Sequence, residues 1–161
     1  MDRITEVAVS LGSNLGDRRA RLDFAVARLR VLLTNFRVSG YIETEPQGVS
    51  GPQPRFLNAA VVGQTALSVR DLMTELLSIE RDGGRDRPRP LAPRTLDVDL
   101  ILYGNAVIAE PGLTVPHPRF RERRFVLEPL AEIRPDLVDP ETGKTIGQLL
   151  DDNRAAQGGA V

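Results

Sequence analysis

Apolar and polar positions along the chain follow two alternating periods. EVAVSLG, near the N-terminus, reads as a short buried strand running into GSNLGD. Leu22, Val26, Leu29 and Leu33 then recur at steps of three and four, which predicts an amphipathic helix. FRVSGYIETEP reads as one strand closed by Pro46, QGVSGPQPR as a Gly- and Pro-rich loop, and FLNAAVVGQT as a third strand. Ser68, with Asp71 three residues on, approximates a capping box, and Leu67 and Leu72 form a hydrophobic staple. Val69, Leu72, Met73, Leu76 and Ile79 or Glu80 supply the buried stripe of that second helix, which ends at DGG. RDRPRPLAPR is loop, and TLDVDLILYG is a strand.

The order β-α-β-β-α-β is that of a ferredoxin-like α+β core, an antiparallel sheet with helices packed on it. A turn at YGNAVI, a loop at VPHPRFRERR, and helical patterns in FVLEPLAEI and TIGQLLDD add extra C-terminal helices. Residues 1–161 read as a single domain without repeats, and NRAAQGGAV, about 153–161, as a disordered tail.

Composition removes several classes of function. Hydrophobic content of 41% and charged content of 27% are those of a soluble globule, and no apolar run reaches the ~20 residues a bilayer requires. The N-terminus has no secretion-signal pattern and the chain has no cysteine, which fits the cytoplasm and excludes disulfides and thiolate zinc sites. A net charge of −1 argues against wholesale binding of nucleic acid or an anionic membrane. With His117 the only histidine, a metal would be held by carboxylates, which indicates a hard cation such as Mg²⁺.

The candidate chemistry lies in PRTLDVDLILYG. Strand alternation places Leu96, Val98, Leu100 and Leu102 on one face, and Asp97, Asp99, Ile101 and Tyr103 on the other. Aspartate is depleted in strands, so two on one side need a reason. Carboxylates two residues apart project about 6.6 Å apart at Cα and can converge on divalent ions. The bland alternative is the polar face of an edge strand.

Arginine-rich loops surround the pair. Arg85, Arg87, Arg89 and Arg94 precede it, and Arg119, Arg121, Arg123 and Arg124 follow it. Guanidinium forks together with a bound metal are equipment for polyphosphate. The common glycine-rich phosphate cradles are absent: TGKT, 142–145, has Val138 where a P-loop needs its first glycine. Phe56 and Phe125 are core residues or, read functionally, two rings around a flat heterocycle whose edge Asn58 can meet as donor and acceptor.

SLGSNLGD, FLNAAV, PRTLDVDLILYG and LTVPHPRF occur in this order in the 6-hydroxymethyl-7,8-dihydropterin pyrophosphokinases of folate biosynthesis, and the chain resembles that family from Val7 to about Leu150. The resemblance implies transfer of pyrophosphate from ATP to the pterin hydroxymethyl group, with release of AMP. It implies that Asp97 and Asp99 hold two Mg²⁺ ions on the triphosphate, and that Arg85 and Arg94 act catalytically from a closing loop. The implied ATP-binding set is Glu80, Arg87, Arg94, His117 and Arg123; the implied pterin set is Thr44, Gln47, Phe56, Asn58, Asp97 and Phe125. A monomer that takes only these small molecules, with neither nucleic acid nor membrane as partner, is the corresponding expectation. The chain departs from the family's pattern at Leu91, where an aromatic is usual, and at Leu77, Pro90 and Glu45. Ferredoxin-like sheets also serve as RNA-binding modules and ligand-sensing domains, and the paired aspartates fit both of those poorly.

Overall fold

A computed structural model describes residues 3–14, 16–44, 55–84 and 96–158. The chain runs β1 (Thr5–Ser13), α1 (Arg18–Leu32), β2 (Thr34–Val38), β3 (Ile42–Thr44), β4 (Phe56–Thr65), α2 (Val69–Gly83) and β5 (Asp97–Tyr103). A small hairpin follows, β6 (Ile108–Glu110) and β7 (Leu113–Val115), then a 3₁₀ turn (Phe120–Glu122), α3 (Arg124–Ile133) and α4 (Ile146–Gly158). The main sheet has the order β2-β4-β1-β5, with β3 also on β4, and every pairing is antiparallel. This is the expected ferredoxin-like core. None of the described helices is long and apolar enough to cross a membrane.

The predicted caps and stripes form as local chemistry requires. The Ser68 hydroxyl accepts the Asp71 backbone N–H at 3.1 Å, and Leu72, Leu76 and Ile79 are buried. Gly83 does more than end the helix. A Cβ there would collide with Leu96 and Phe24, so the glycine lets the start of β5 lie against α2.

Two strands depart from simple alternation. The expected single strand FRVSGYIETEP is two, because one extra residue separates them: Val38 is opposite Val61, whereas Ile42 is opposite Asn58. Ser39 closes the gap, its N–H donating to the Ala60 carbonyl and its hydroxyl accepting the Ala60 N–H, both at 2.9 Å. A bulge of one residue exchanges the faces beyond it. Thr44 therefore shares a face with its partner Phe56.

In β5 the register slips at Ile101, since Val9 is opposite Leu100 while Ala8 is opposite Leu102. Leu102 consequently joins Ile101 in one core cluster, and Tyr103 packs with the other, contrary to the alternation expected from sequence. The tail also differs from expectation. Helix α4 continues through Gly158, with Asn153 buried and Arg154 3.5 Å from Glu128 of α3, so residues 153–158 are ordered helix.

Both faces of the sheet are covered. Val7, Val9, Leu11, Leu57, Ala59, Val61, Val98 and Leu100 pack under α1 and α2. Ala8, Ala60, Val62, Ile101 and Leu102 pack under α3 and α4. The second cluster stops partway along the strands. The site begins there.

Candidate active site

Cross-strand partners share a face, so the registers fix what lies beyond the second cluster. Asp99, Ser10 and Ala60 form one row across β5, β1 and β4; Asp97, Gly12 and Asn58 form the next, and Phe56 and Thr44 continue the face outward. All of these except Ala60, which belongs to the second cluster, floor a cavity of about 530 Å³, walled by Arg119, Glu122, Arg123 and Phe125 from the 3₁₀ turn and the start of α3.

The half of the floor on β4 suits a flat polar ring. Asn58 is buried and donates from Nδ2 to the Thr44 hydroxyl at 2.5 Å, which fixes the amide's orientation. A Cβ at Gly12 would come within 3.0 Å of Asn58 Oδ1 and 3.8 Å of the Phe56 ring. Only a bare Cα leaves that amide edge and ring face open. Phe56 and Phe125 both line the cavity, and the Arg123 guanidinium lies 5.6 Å from the centroid of the Phe125 ring.

The other half is built for charge. Asp97 and Asp99 are both half-buried and line the cavity from β5. Glu80 Oε2 accepts the N–H of Val98, between them, at 2.9 Å, so α2 holds the backbone that carries the pair. Among the described residues no group of three His, Cys, Asp or Glu side chains could hold a metal ion. Two carboxylates alone leave most of a hard cation's coordination to water or substrate oxygens, which is how Mg²⁺ binds with phosphates. The donor set fits that ion.

His117 stands beside this half. Its backbone N–H donates to the Ile101 carbonyl at 3.0 Å, at the register slip of β5, and its ring Nδ1 accepts the Arg119 backbone N–H at 3.2 Å. That contact leaves the neutral ring's proton on Nε2. Burial pushes the imidazole below its usual pKa; Asp99 opposes the shift, while Arg123 and Arg119 reinforce it.

The arginine cluster divides. Arg119 and Arg123 face the cavity. Arg121 turns away and grips fully buried Asp139 through Nε at 2.5 Å and Nη2 at 2.9 Å, and Arg124 is 3.8 Å from Glu128 on its own helix. Burial works to raise the Asp139 pKa, but Arg121, the Thr142 hydroxyl and the Glu141 N–H together hold it below the usual range. Arg121 is a brace under the turn that presents its two neighbours.

Of the residues expected from sequence, Thr44, Phe56, Asn58, Asp97, Asp99, Arg123 and Phe125 meet at one cavity. Glu80 and His117 lie outside its wall, each bonded to the backbone of β5. Gln47, Arg85, Arg87 and Arg94 fall outside the described residues, as do Glu45, Pro90 and Leu91. Ser10, Gly12 and Glu122 were not anticipated. A glycine inside a strand is itself a sign of close approach, and Gly12 could have been found that way.

Comparison with known proteins identifies the family. Residues 8–135 match the family described as 7,8-dihydro-6-hydroxymethylpterin-pyrophosphokinase (HPPK). A 2-amino-4-hydroxy-6-hydroxymethyldihydropteridine pyrophosphokinase of Methylorubrum extorquens is 44% identical over 150 residues, 91% of this chain and 92% of that protein. One of the same name from Synechocystis is 43% identical over 145 residues, 89% of this chain and 73% of that protein. Against the Folic acid synthesis protein fol1 of Pneumocystis carinii, 38% identical, the chain spans 20% of the longer polypeptide. In fold, a crystal structure of Plasmodium falciparum HPPK-DHPS superposes with a TM-score of 0.77 at 14% identity, covering 99% of this chain and 46% of that one. By both profile and relatives, the chain belongs to the 7,8-dihydro-6-hydroxymethylpterin-pyrophosphokinase family.

Proposed function

We propose that this chain transfers the β,γ-pyrophosphoryl group of ATP to the hydroxymethyl group of 6-hydroxymethyl-7,8-dihydropterin and releases AMP, a step of folate biosynthesis. One observation carries the residue assignments. A single cavity joins a stacking and amide-reading half, Phe56, Phe125, Asn58 and Thr44, to a half with paired carboxylates and arginine forks. A pterin and a triphosphate need these two environments side by side.

The pterin ring stacks between Phe56 and Phe125 while Asn58, oriented by Thr44, meets its polar edge. Asp97 and Asp99 would hold two Mg²⁺ ions against the triphosphate, and that metal supplies neutralisation of phosphate charge. Arg123 and Arg119 face the phosphates from the cavity wall, and His117, just outside that wall, supports the phosphate side through its contact with the Arg119 N–H. Arg85, Arg87 and Arg94 complete the phosphate side and Gln47 the pterin side in this proposal. Glu80 serves the nucleotide through Val98, by fixing the strand between the aspartates.

The substrate hydroxyl oxygen attacks the β-phosphorus in line. The bond from that phosphorus to the α,β-bridging oxygen breaks, AMP departs with the oxygen, and the hydroxyl proton is released. Rate acceleration then comes from positioning and electrostatic preorganisation rather than from a tuned base. The RNA-binding alternative fares worse, because α3 and α4 cover the sheet face that such a module leaves open.

The test is direct. Protein incubated with ATP, the hydroxymethyl pterin and Mg²⁺ is expected to form AMP and the pterin pyrophosphate in equal amounts, and to stop when Mg²⁺ is chelated. Accumulation of ADP would mean ordinary kinase chemistry and would refute the proposal.

A further inference from the structure

Strand β3 carries Thr44 yet spans only Ile42–Thr44, on the outer edge of β4. Three residues of edge pairing are weak support for a side chain that must orient Asn58. Its other face supplies what the ladder lacks. Ile42 and Thr44 are opposite Asn58 and Phe56, on the cavity face, so Tyr41 and Glu43 project the other way. Both are held by α1.

The Tyr41 hydroxyl donates to Asp23 Oδ1 at 2.6 Å, and the Arg19 guanidinium lies 5.2 Å from the centroid of the Tyr41 ring. Burial first, then that hydrogen bond to Asp23, pushes the tyrosine pKa up. Arg18 reaches further. Its Nη2 donates to Glu43 Oε1 at 2.5 Å and its Nη1 to the Arg55 carbonyl at 2.9 Å. Glu43 adjoins Thr44 and Arg55 adjoins Phe56, and Thr44 and Phe56 form the last pair of the ladder. One guanidinium therefore spans both strands at the rim of the cavity.

Local helix energetics do not account for these residues. Arg18 and Arg19 open α1, where the macrodipole is positive, and the first turn has no acidic residue. The Asp17 cap, whose carboxylate accepts the Ala20 N–H at 3.0 Å, meets the local need for an acid at this terminus, and two arginines just inside it oppose the dipole. The cost is offset across the gap to β3 and β4, so the arrangement is selected at the tertiary level.

From this geometry we infer that Arg18, with Glu43 as its anchor, is a positioning residue for pterin binding: it clamps the β3–β4 ladder from behind and so sets Thr44 and Asn58 in the cavity. The inference rests on the proposal that Asn58 and Thr44 meet the pterin. It needs the fork of Arg18 and not merely its charge, because the Glu43 carboxylate and the Arg55 carbonyl are engaged by separate nitrogens.

Exposed ion pairs contribute little to stability, so this function is separable from folding. Arg18→Ala is expected to raise KM for the pterin about fivefold, leave KM for ATP within about twofold and lower Tm by no more than about 3 °C. Arg18→Lys should keep most of the pterin defect. Glu43→Gln should raise the same KM, and in the double variant with Arg18→Ala the two effects should not add. Asn58→Ala is the control for the underlying proposal. If it leaves the pterin KM unchanged, the pterin assignment itself fails. If Asn58→Ala raises that KM and Arg18→Ala does not, the assignment stands and the clamp is overturned. Equal changes in the KM of both substrates, or full recovery in Arg18→Lys, would also overturn it.

Discussion

The two faces of the central sheet use the same three strands to opposite ends. Under α1 and α2 the face between Leu57 and Val7 is a packed apolar core, edged by buried Ser13 and by the polar contacts of Tyr41 and Glu43 with α1. Under α3 and α4 apolar cover lasts only to Ala60 and Ile101, after which Ser10, Gly12, Asn58, Asp97 and Asp99 take over. Full burial of carboxylates is costly, and this second half instead opens on a cavity that admits water, ions or substrate. The first face holds the strands rigid. The second presents chemistry on that rigid support, which is the arrangement precise sites require.

Removing chemistry from the second face should produce the largest effect. Asp97→Ala is expected to lower turnover at least ~100-fold at saturating Mg²⁺, on the scale of other losses of preorganised electrostatics, while the protein remains folded. Initial rates of AMP formation beside a circular-dichroism melt check both halves of that statement. Near-normal turnover would remove the metal role from Asp97 and erase the functional contrast between the faces.

Disturbing the first face should act on stability. In Gly83→Ala the new methyl meets Leu96 and Phe24 in a closed core, and overpacking of this kind costs about 1–3 kcal/mol. Tm should fall by about 3–10 °C. Since Leu96 leads directly into Asp97, some loss of turnover below Tm is expected too, far smaller than in Asp97→Ala. A variant as stable as the parent would show that α2 and β5 can part without cost.

The smallest effect belongs to His117, at the border of the two halves. Its folded pKa lies below the ordinary 6.5, with burial as the first cause, so the unfolded chain takes up a proton first as pH falls. The associated stability is complete above about pH 6.5 and is lost as pH drops from there through the folded pKa. Between pH 7 and 5 the Tm of the parent should decline more steeply than that of His117→Gln. Parallel curves would mean that His117 is not held neutral by its surroundings.

Legibility of these features followed the range of the interactions behind them. The cap at Ser68 and the stripe of α2 depend on neighbours within one or two turns, and both read directly from sequence. The paired aspartates were legible because an unfavourable residue type stood twice at strand spacing. Arg121 was not distinguishable from Arg119 or Arg123, because its partner Asp139 lies eighteen residues away on another turn. Ser39 and Ile101, where two of the register shifts fall, look like any strand residues, and one extra residue at each reverses the faces beyond it. The ordered end of α4 escaped for a similar reason: NRAAQGG is weakly patterned, and Asn153 is buried by tertiary packing rather than by periodicity.

The chain's own order of residues determined the element types, the ferredoxin-like order and the kinds of side chain available for a pterin and a triphosphate. Local backbone and period-two or period-3.6 patterns encode those things, and they need no knowledge of distant neighbours. Tertiary structure alone decided that Thr44 faces Asn58, that Gly12 leaves their side of the cavity open, and which arginines reach the site. Those outcomes depend on strand register and on contacts between residues far apart in sequence, where a shift of one residue exchanges inside for outside.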